Sequence, residues 1–337
     1  MNLLPFSTPT RNVAPWQQAL QTAFAKPADL LRFLELPETT PGLALEAVRD
    51  FPLRVPRCFA ERMAKGDASD PLFRQIWPSP EEAEIVPGFS SDAVGDLERL
   101  KPGGLIQKYF GRALVITTGA CAVNCRYCFR RHFPYSETRA AKNQWQDLLD
   151  EIAADSSLTE IILSGGDPLS LTDDKLAELV GGLDAIPHLR RLRVHTRTPI
   201  VLPERVDANL IEWLTTTRLK PVVVVHVNHA NELDGEVAAA MKRLRKHGIP
   251  LLNQSVLLKG VNDSLDALMA LSERLFEVGV LPYYLHLLDR VQGAAHFDVE
   301  EALAKALCRE LAGHLPGYLV PRLAREVPGK ASKTWIL

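Results

Sequence analysis

The sequence has no long apolar run: its densest stretch, Val222–Val225, is far short of the ~20 residues a helix needs to cross a bilayer. The N-terminus, Met1-Asn2-Leu3-Leu4-Pro5-Phe6-Ser7, lacks a basic region followed by an apolar core, so no signal peptide is expected. Neither sign of charge is in excess. With 39 Lys and Arg against 41 Asp and Glu, the net charge is −2, which argues against a nucleic-acid surface or a polybasic membrane anchor. Cysteine is scarce and odd in number, five in 337 residues, and this argues against a disulfide framework. No internal repeat and no low-complexity segment is present. These absences leave a soluble, cytoplasmic protein of ordinary composition, 46% hydrophobic and 24% charged. It is long enough for one large α/β domain or two smaller ones.

Two textures divide the chain. Residues 1–105 carry short helical patterns broken by proline, read as an N-terminal helical extension. One opens at Pro27-Ala28-Asp29, with Leu30, Leu31, Phe33 and Leu34 at helical spacing, and another is expected over 57–65. From residue 106 to 315 the pattern becomes strand, loop, helix. Apolar strands are expected at 113–118, 160–164, 191–195, 222–227, 251–256 and 283–287, with helices at 174–183, 235–247 and 265–278. Buried strands alternating with helices imply a parallel sheet with right-handed crossovers. Six such units fall short of eight, so the expected fold is α/β, a partial barrel of the (β/α)6 type. Residues 316–337 form a short C-terminal segment.

Unusual residues follow these strands. Cys121 comes after the first, Gly165-Gly166-Asp167 after the second, and His195-Thr196-Arg197 at the end of the third. Asn228-His229 follows the fourth, Asn253-Gln254-Ser255 closes the fifth and Asp289 follows the sixth. In parallel barrels the C-terminal strand ends carry the chemistry.

The sharpest signal is Cys121-Ala-Val-Asn-Cys125-Arg-Tyr-Cys128. Three thiolates on one loop can hold three irons of a four-iron cluster and leave the fourth open, where the usual four-cysteine site closes every position. Structural zinc with His132 as fourth ligand is the competing reading, although zinc sites more often come as two spaced Cys-x2-Cys pairs. Cys58 and Cys308 read as ordinary buried thiols. His226 and His229 read as satisfied polar residues of the barrel, and Lys242-Arg243-Leu-Arg245-Lys246 as a solvated helix face.

The loop, with Tyr127 before its third cysteine, resembles the radical S-adenosylmethionine superfamily. That resemblance implies that the open iron chelates S-adenosylmethionine, and that Gly165, Gly166 and Asp167 meet its methionine end. The glycine amides are free in principle to hold a carboxylate or an amine. The wider series narrows it. Cys-Arg-Tyr-Cys-Phe-Arg130-Arg131-His132-Phe133 is followed by Arg197-Thr198-Pro199, Asn228-His229-Ala230-Asn231-Glu232, Asn253 to Asp263, Pro282-Tyr283-Tyr284 and Gly317-Tyr318-Leu319-Val320-Pro321. Together these resemble lysine 2,3-aminomutases from about residue 50 onward. Cys121–Tyr135 and Val291–Phe297 are most similar to the short branch that makes β-lysine for modifying elongation factor P.

The resemblance implies an isomerase with three cofactors: a [4Fe-4S] cluster, S-adenosylmethionine and pyridoxal phosphate. The last supplies a π system for an amino group in transit between neighbouring carbons. It implies Lys333, in Lys330-Ala331-Ser332-Lys333-Thr334-Trp335, as the lysine that holds pyridoxal phosphate. Trp335 replaces the family's proline and the glycine run is reduced to Gly329, so Lys330 remains a competitor. Arg130 is implied as the partner of the substrate carboxylate, a planar anion suited to a guanidinium. Arg112, Gln254 and Ser255 are implied as cofactor contacts, the last two at the phosphate, with a satisfied polar role in the core open for Ser255. Asp289 and Glu326 are implied as acids for the ε-ammonium; Glu326 stands where the long enzymes carry aspartate. Partners implied are free L-lysine, a one-electron reductant and, indirectly, elongation factor P through (R)-β-lysine. Alternatives at this stage are a catabolic lysine 2,3-aminomutase, a radical enzyme without pyridoxal phosphate, and a zinc-stabilised interaction protein.

Overall fold

The computed structural model describes residues 13–38, 48–49, 51–136 and 145–337; the Met1–Ser7 segment lies outside them. Ten strands form one sheet in chain order: β1 Leu100–Lys101, β2 Leu105–Tyr109, β3 Arg112–Thr118, β4 Glu160–Gly165, β5 Arg191–Thr196, β6 Lys220–Val225, β7 Leu251–Val256, β8 Leu281–His286, β9 Arg322–Arg325 and β10 Thr334–Trp335. From β3 to β9 every neighbouring pair is parallel, while β1, β2 and β10 add antiparallel at the two ends. The sheet is therefore a partial barrel with an open seam, six expected strands joined by β9 from the C-terminal segment.

Six helices cross between the parallel strands: α1 Gln146–Ala154, α2 Asp173–Asp184, α3 Ala208–Thr216, α4 Gly235–Lys246, α5 Leu265–Glu277 and α6 Glu301–His314. Their starts are chemically marked. Asp207, Asp234 and Ser264 each accept a hydrogen bond from a free amide in the first turn of α3, α4 and α5. Leu176, Leu179, Val180 and Leu183 give α2 one apolar face, which packs on Leu163, Leu192 and Val194 in the largest core cluster.

A second core cluster gathers Trp16, Leu30, Phe59, Phe73 and Trp77 of the N-terminal residues with Ala122 and Val123 of the cysteine loop and Val201 and Leu202 after β5. Helices at Pro15–Gln21, Pro27–Phe33, Arg57–Ala60 and Pro71–Arg74 are short. The helix expected over 57–65 stops at Ala60, and the chain beyond it is held by Asp70. Its carboxylate accepts from the Ala64 amide at 3.0 Å and from the amides of Leu72 and Phe73. No described helix is long and apolar enough to cross a membrane.

Candidate active site

A strand shows alternate residues to opposite faces, and that rule builds the cavity. Ile106 and Lys108 of β2, Arg112 and Leu114 of β3, Ile162 and Ser164 of β4, Arg193 and His195 of β5, Gln254 and Val256 of β7, and Tyr284 and His286 of β8 all line one cavity of about 540 Å³. Cys121, Cys125, Cys128, Arg130, Gly165, Gly166, Asp167, Asp289, Glu326 and Lys333 line it too. The fold thus gathers twelve of the thirteen residues singled out above in one place.

Ser255 is the exception. It follows Gln254, so the pleat turns it away from the cavity, where its hydroxyl donates to Val227 O at 2.8 Å and accepts from Asn253 Nδ2 at 2.8 Å. Of the two residues, Gln254 lines the cavity, while the Ser255 hydroxyl is taken up in the core, the alternative left open for it. Lys330 is exposed and does not reach the cavity.

The three thiols sit on the loop after β3, and the N-terminal extension holds that loop from outside. Asn124 N donates to Arg54 O, Asn124 Nδ2 to Pro52 O and Arg126 N to Gln75 O. Buried Arg126 and Arg131 share the Glu82 carboxylate. Burial pushes the Cys121 thiol well up and the Cys128 thiol to about 11, with the neighbouring cysteines adding to the rise. Thiolates here need a cation at hand, and bonded iron supplies one. Among the described residues no three His, Cys, Asp or Glu side chains converge on a single ion; a cluster spreads its thiolates over different irons. His132 instead sets its ring nitrogen 3.0 Å from Gln292 O.

Sequence reasoning named Arg197 at a strand end but gave it no role. Its guanidinium donates to Cys125 Sγ at 2.8 Å, Tyr127 Oη at 2.6 Å, Gln75 Oε1 at 2.7 Å and Glu232 Oε2 at 2.8 Å. Burial acts against its charge, but Cys125, Tyr127 and Glu232 together hold it firmly protonated. It fixes the middle cysteine and the aromatic ring of the loop. Tyr127 Oη also lies 3.2 Å from His226 Nε2, and burial with Arg197 nearby pulls that imidazole down to about 3, so it is neutral.

Gly165 and Gly166 line the cavity and also hold two loops together. The amides of Gly166 and Asp167 are already donated to Thr118 O at 2.6 Å and Ala120 O at 2.8 Å. Their contribution is closeness: a Cβ on Gly165 would lie 2.4 Å from Thr118 O, and one on Gly166 would lie 2.5 Å from Ala120 O. The loop after β4 therefore packs backbone to backbone on the cysteine loop. Asp167 points inward to Thr196 Oγ1 and to the amides of Leu169, Arg197 and Thr198. It braces the end of β5, although burial raises its carboxyl.

On the opposite wall, Arg130 Nε donates to Asp96 Oδ2 at 2.6 Å and Nη1 to Ser164 Oγ at 3.1 Å. Lys333 Nζ donates to Glu326 Oε2 at 3.0 Å. Lys108 joins Asp96 to Glu326; neither Asp96 nor Lys108 carries a local sequence signal, since each is a lone charge in an ordinary stretch. Asp289 has no side-chain partner within hydrogen-bond or ion-pair distance among the described residues, and burial raises it to about 7 although Lys333 pulls the other way. A carboxyl so placed fits an incoming ammonium. Arg112 has no carboxylate partner among the described residues and lies over the Tyr109 ring at 4.7 Å. With Arg322 and Gln254, and with Arg193 already paired with Glu160, it gives a hydrogen-bonding surface that suits a phosphate.

Residues 115–271 match the Radical SAM superfamily. The L-lysine 2,3-aminomutase of Escherichia coli (strain K12) is 48% identical over 334 residues, 99% of this chain and 97% of that protein. The chain belongs to the L-lysine 2,3-aminomutase family. The Haemophilus influenzae enzyme of the same name is 46% identical, covering 99% of both chains. The Clostridium subterminale enzyme is 29% identical, covering 96% of this chain and 77% of its own. Membership implies the [4Fe-4S] cluster, S-adenosylmethionine and pyridoxal phosphate. The thiols, Lys333 and the arginine-lined wall described above are the residues that fit them.

Proposed function

We propose that this protein converts L-lysine to β-lysine by a radical shift of the amino group from carbon 2 to carbon 3, and that (R)-β-lysine is the product. One observation carries the reading: Lys333 and the three cysteines of the 121–128 loop open into the same cavity. When bound there, the cluster and S-adenosylmethionine supply a carbon radical, and pyridoxal phosphate spreads the unpaired electron while nitrogen changes carbons.

The chain's own groups do the positioning. Arg130 offers its guanidinium to the α-carboxylate from a setting in which Asp96 and Ser164 fix two of its nitrogens. Asp289 and Glu326 face the distal ammonium. Arg112 and Gln254 meet the cofactor phosphate. Apolar Ile106, Leu114, Ile162, Val256 and Leu288 keep the reacting carbons out of water, which protects a radical from side reactions. His195 and His286 are held neutral, foremost by burial, and add no charge to the centre of the cavity.

The chain spans nearly the whole of the Escherichia coli and Haemophilus influenzae relatives but only 77% of the clostridial one. The higher identity to the Escherichia coli and Haemophilus influenzae relatives, 48% and 46% against 29% for the clostridial one, supports supply of β-lysine for elongation factor P over a catabolic role. The test is anaerobic reconstitution with iron, sulfide and pyridoxal phosphate, then S-adenosylmethionine, a one-electron reductant and L-lysine, with chiral chromatography of the products. The expected product is (R)-β-lysine. The S isomer would move the assignment to the catabolic role, and cleavage of S-adenosylmethionine with lysine untouched would overturn the aminomutase reading.

A further inference from the structure

Lys108 lies on β2, outside the parallel strands, yet its ammonium reaches the cavity and finds three acceptors there. They are Val94 O at 2.7 Å, Asp96 Oδ1 at 2.5 Å and Glu326 Oε1 at 3.1 Å. An ammonium has three donors, so all are used. Asp96 gives its other oxygen to Arg130, and Glu326 gives its other oxygen to Lys333. The result is one ladder of alternating charge, Arg130–Asp96–Lys108–Glu326–Lys333. It runs across the open seam, since β2 and β9 are not paired with each other in the sheet.

Resting on the aminomutase reading, we propose that Lys108 is a positioning residue that determines specificity for one distal ammonium at a fixed distance from the carboxylate. The ladder and Asp289 hold three cations, Arg130, Lys108 and Lys333, against three acids, Asp96, Glu326 and Asp289. Lys108 is the cation that Asp96 and Glu326 share. Without it each of these carboxylates loses a partner in a largely buried setting, and the two ends of the ladder are no longer tied together. The same residue fixes spacing. Through Asp96 it is tied to Arg130, where the carboxylate docks, and through Glu326 to the ammonium end. Both ends of the substrate are thereby measured from one side chain, and an amino acid shorter by a methylene cannot satisfy both.

Equilibrium dialysis of labelled lysine and ornithine against holoenzyme without reductant tests this in the absence of turnover. Cluster and pyridoxal content, and circular dichroism, are matched between variants. Lys108→Met is expected to weaken lysine binding at least tenfold and to narrow the gap between lysine and ornithine, and Lys108→Arg to restore most of both. Asp96→Asn, which loosens the same ladder from its other end, is expected to narrow the gap as well, and it decides the matter should Lys108→Met not fold. Lysine affinity and discrimination unchanged in the folded variants, or Lys108→Arg as defective as Lys108→Met, would overturn the role of Lys108 while leaving the aminomutase reading intact. A wild-type holoenzyme with no affinity for lysine would overturn both.

Discussion

Replacing Asp289 by asparagine keeps the shape of the side chain and removes its charge. Because Asp289 has no cation within ion-pair reach among the described residues, the change leaves the distal ammonium with Glu326 alone, and Glu326 is already shared by Lys108 and Lys333. KM for lysine is expected to rise roughly a hundredfold, the scale of a buried ion pair that loses one partner. The pH profile follows from the same group. Burial raises this carboxyl to about 7, so it is ionised only above that pH, and kcat/KM should climb as pH rises through 7. The climb should be absent in Asp289→Asn, which a pH series on both proteins will show. For folding the sign is opposite. The folded state holds this proton more tightly than the unfolded chain, so the contribution to stability is full below about 4 and is lost as pH rises towards 7. Asp289 was legible in the sequence because it stands at a strand end within a recognisable series. Lys108 and Asp96 were not, because Lys108 takes its meaning from Glu326, more than two hundred residues away, and Asp96 from Lys108 and Arg130.

At the scale of elements, the contact between the loops after β3 and β4 is the most exacting. In Gly166→Ala the new methyl would sit 2.5 Å from Ala120 O and 2.8 Å from the Gly119 carbonyl carbon. Backbone is on both sides, so the cysteine loop must shift. The expected result is loss of most visible cluster absorbance after reconstitution and a destabilisation on the order of 2 kcal/mol. Wild-type absorbance in this variant would mean that the packing is looser than described. The strands themselves were readable: six apolar runs fall within two residues of β3 to β8, because a strand buried on both faces shows as a continuous apolar run. The short flanking strands were not. β1 and β10 are two residues each, too short for any period to register, and they form because a neighbour presents an edge. Gln254 and Ser255 carry a similar lesson. Motif position offered both at a phosphate with a core role open for Ser255, and the Ser255 hydroxyl is the one bonded within the core.

For the whole molecule, the N-terminal extension is the outer half of the cluster site rather than an appendage. Its Glu82 is shared by Arg126 and Arg131 in a buried setting, and its Gln75 holds Tyr127 and Arg197. Glu82→Ala would strand two guanidinium groups in the interior. A loss of about 3 to 5 kcal/mol in unfolding free energy is expected, read by urea denaturation, together with poor retention of iron. The short proline-broken helices of this region gave the sequence no hint of that task, since the partners lie on a loop far along the chain. The open seam is the other large-scale feature. The chain after β9 brings Lys333 across it, held by Glu326 and by β10 pairing with β9.

The central claim is that two cofactor systems share one cavity and that Lys333 is the residue linking pyridoxal phosphate to it. Borohydride reduction of the anaerobically purified holoenzyme, followed by peptide mapping of the pyridoxyl group, tests this most directly. A single adduct on Lys333, in protein that also shows broad iron–sulfur absorbance, is the result predicted here. An adduct on Lys330, or none in protein with a full cluster, would contradict it.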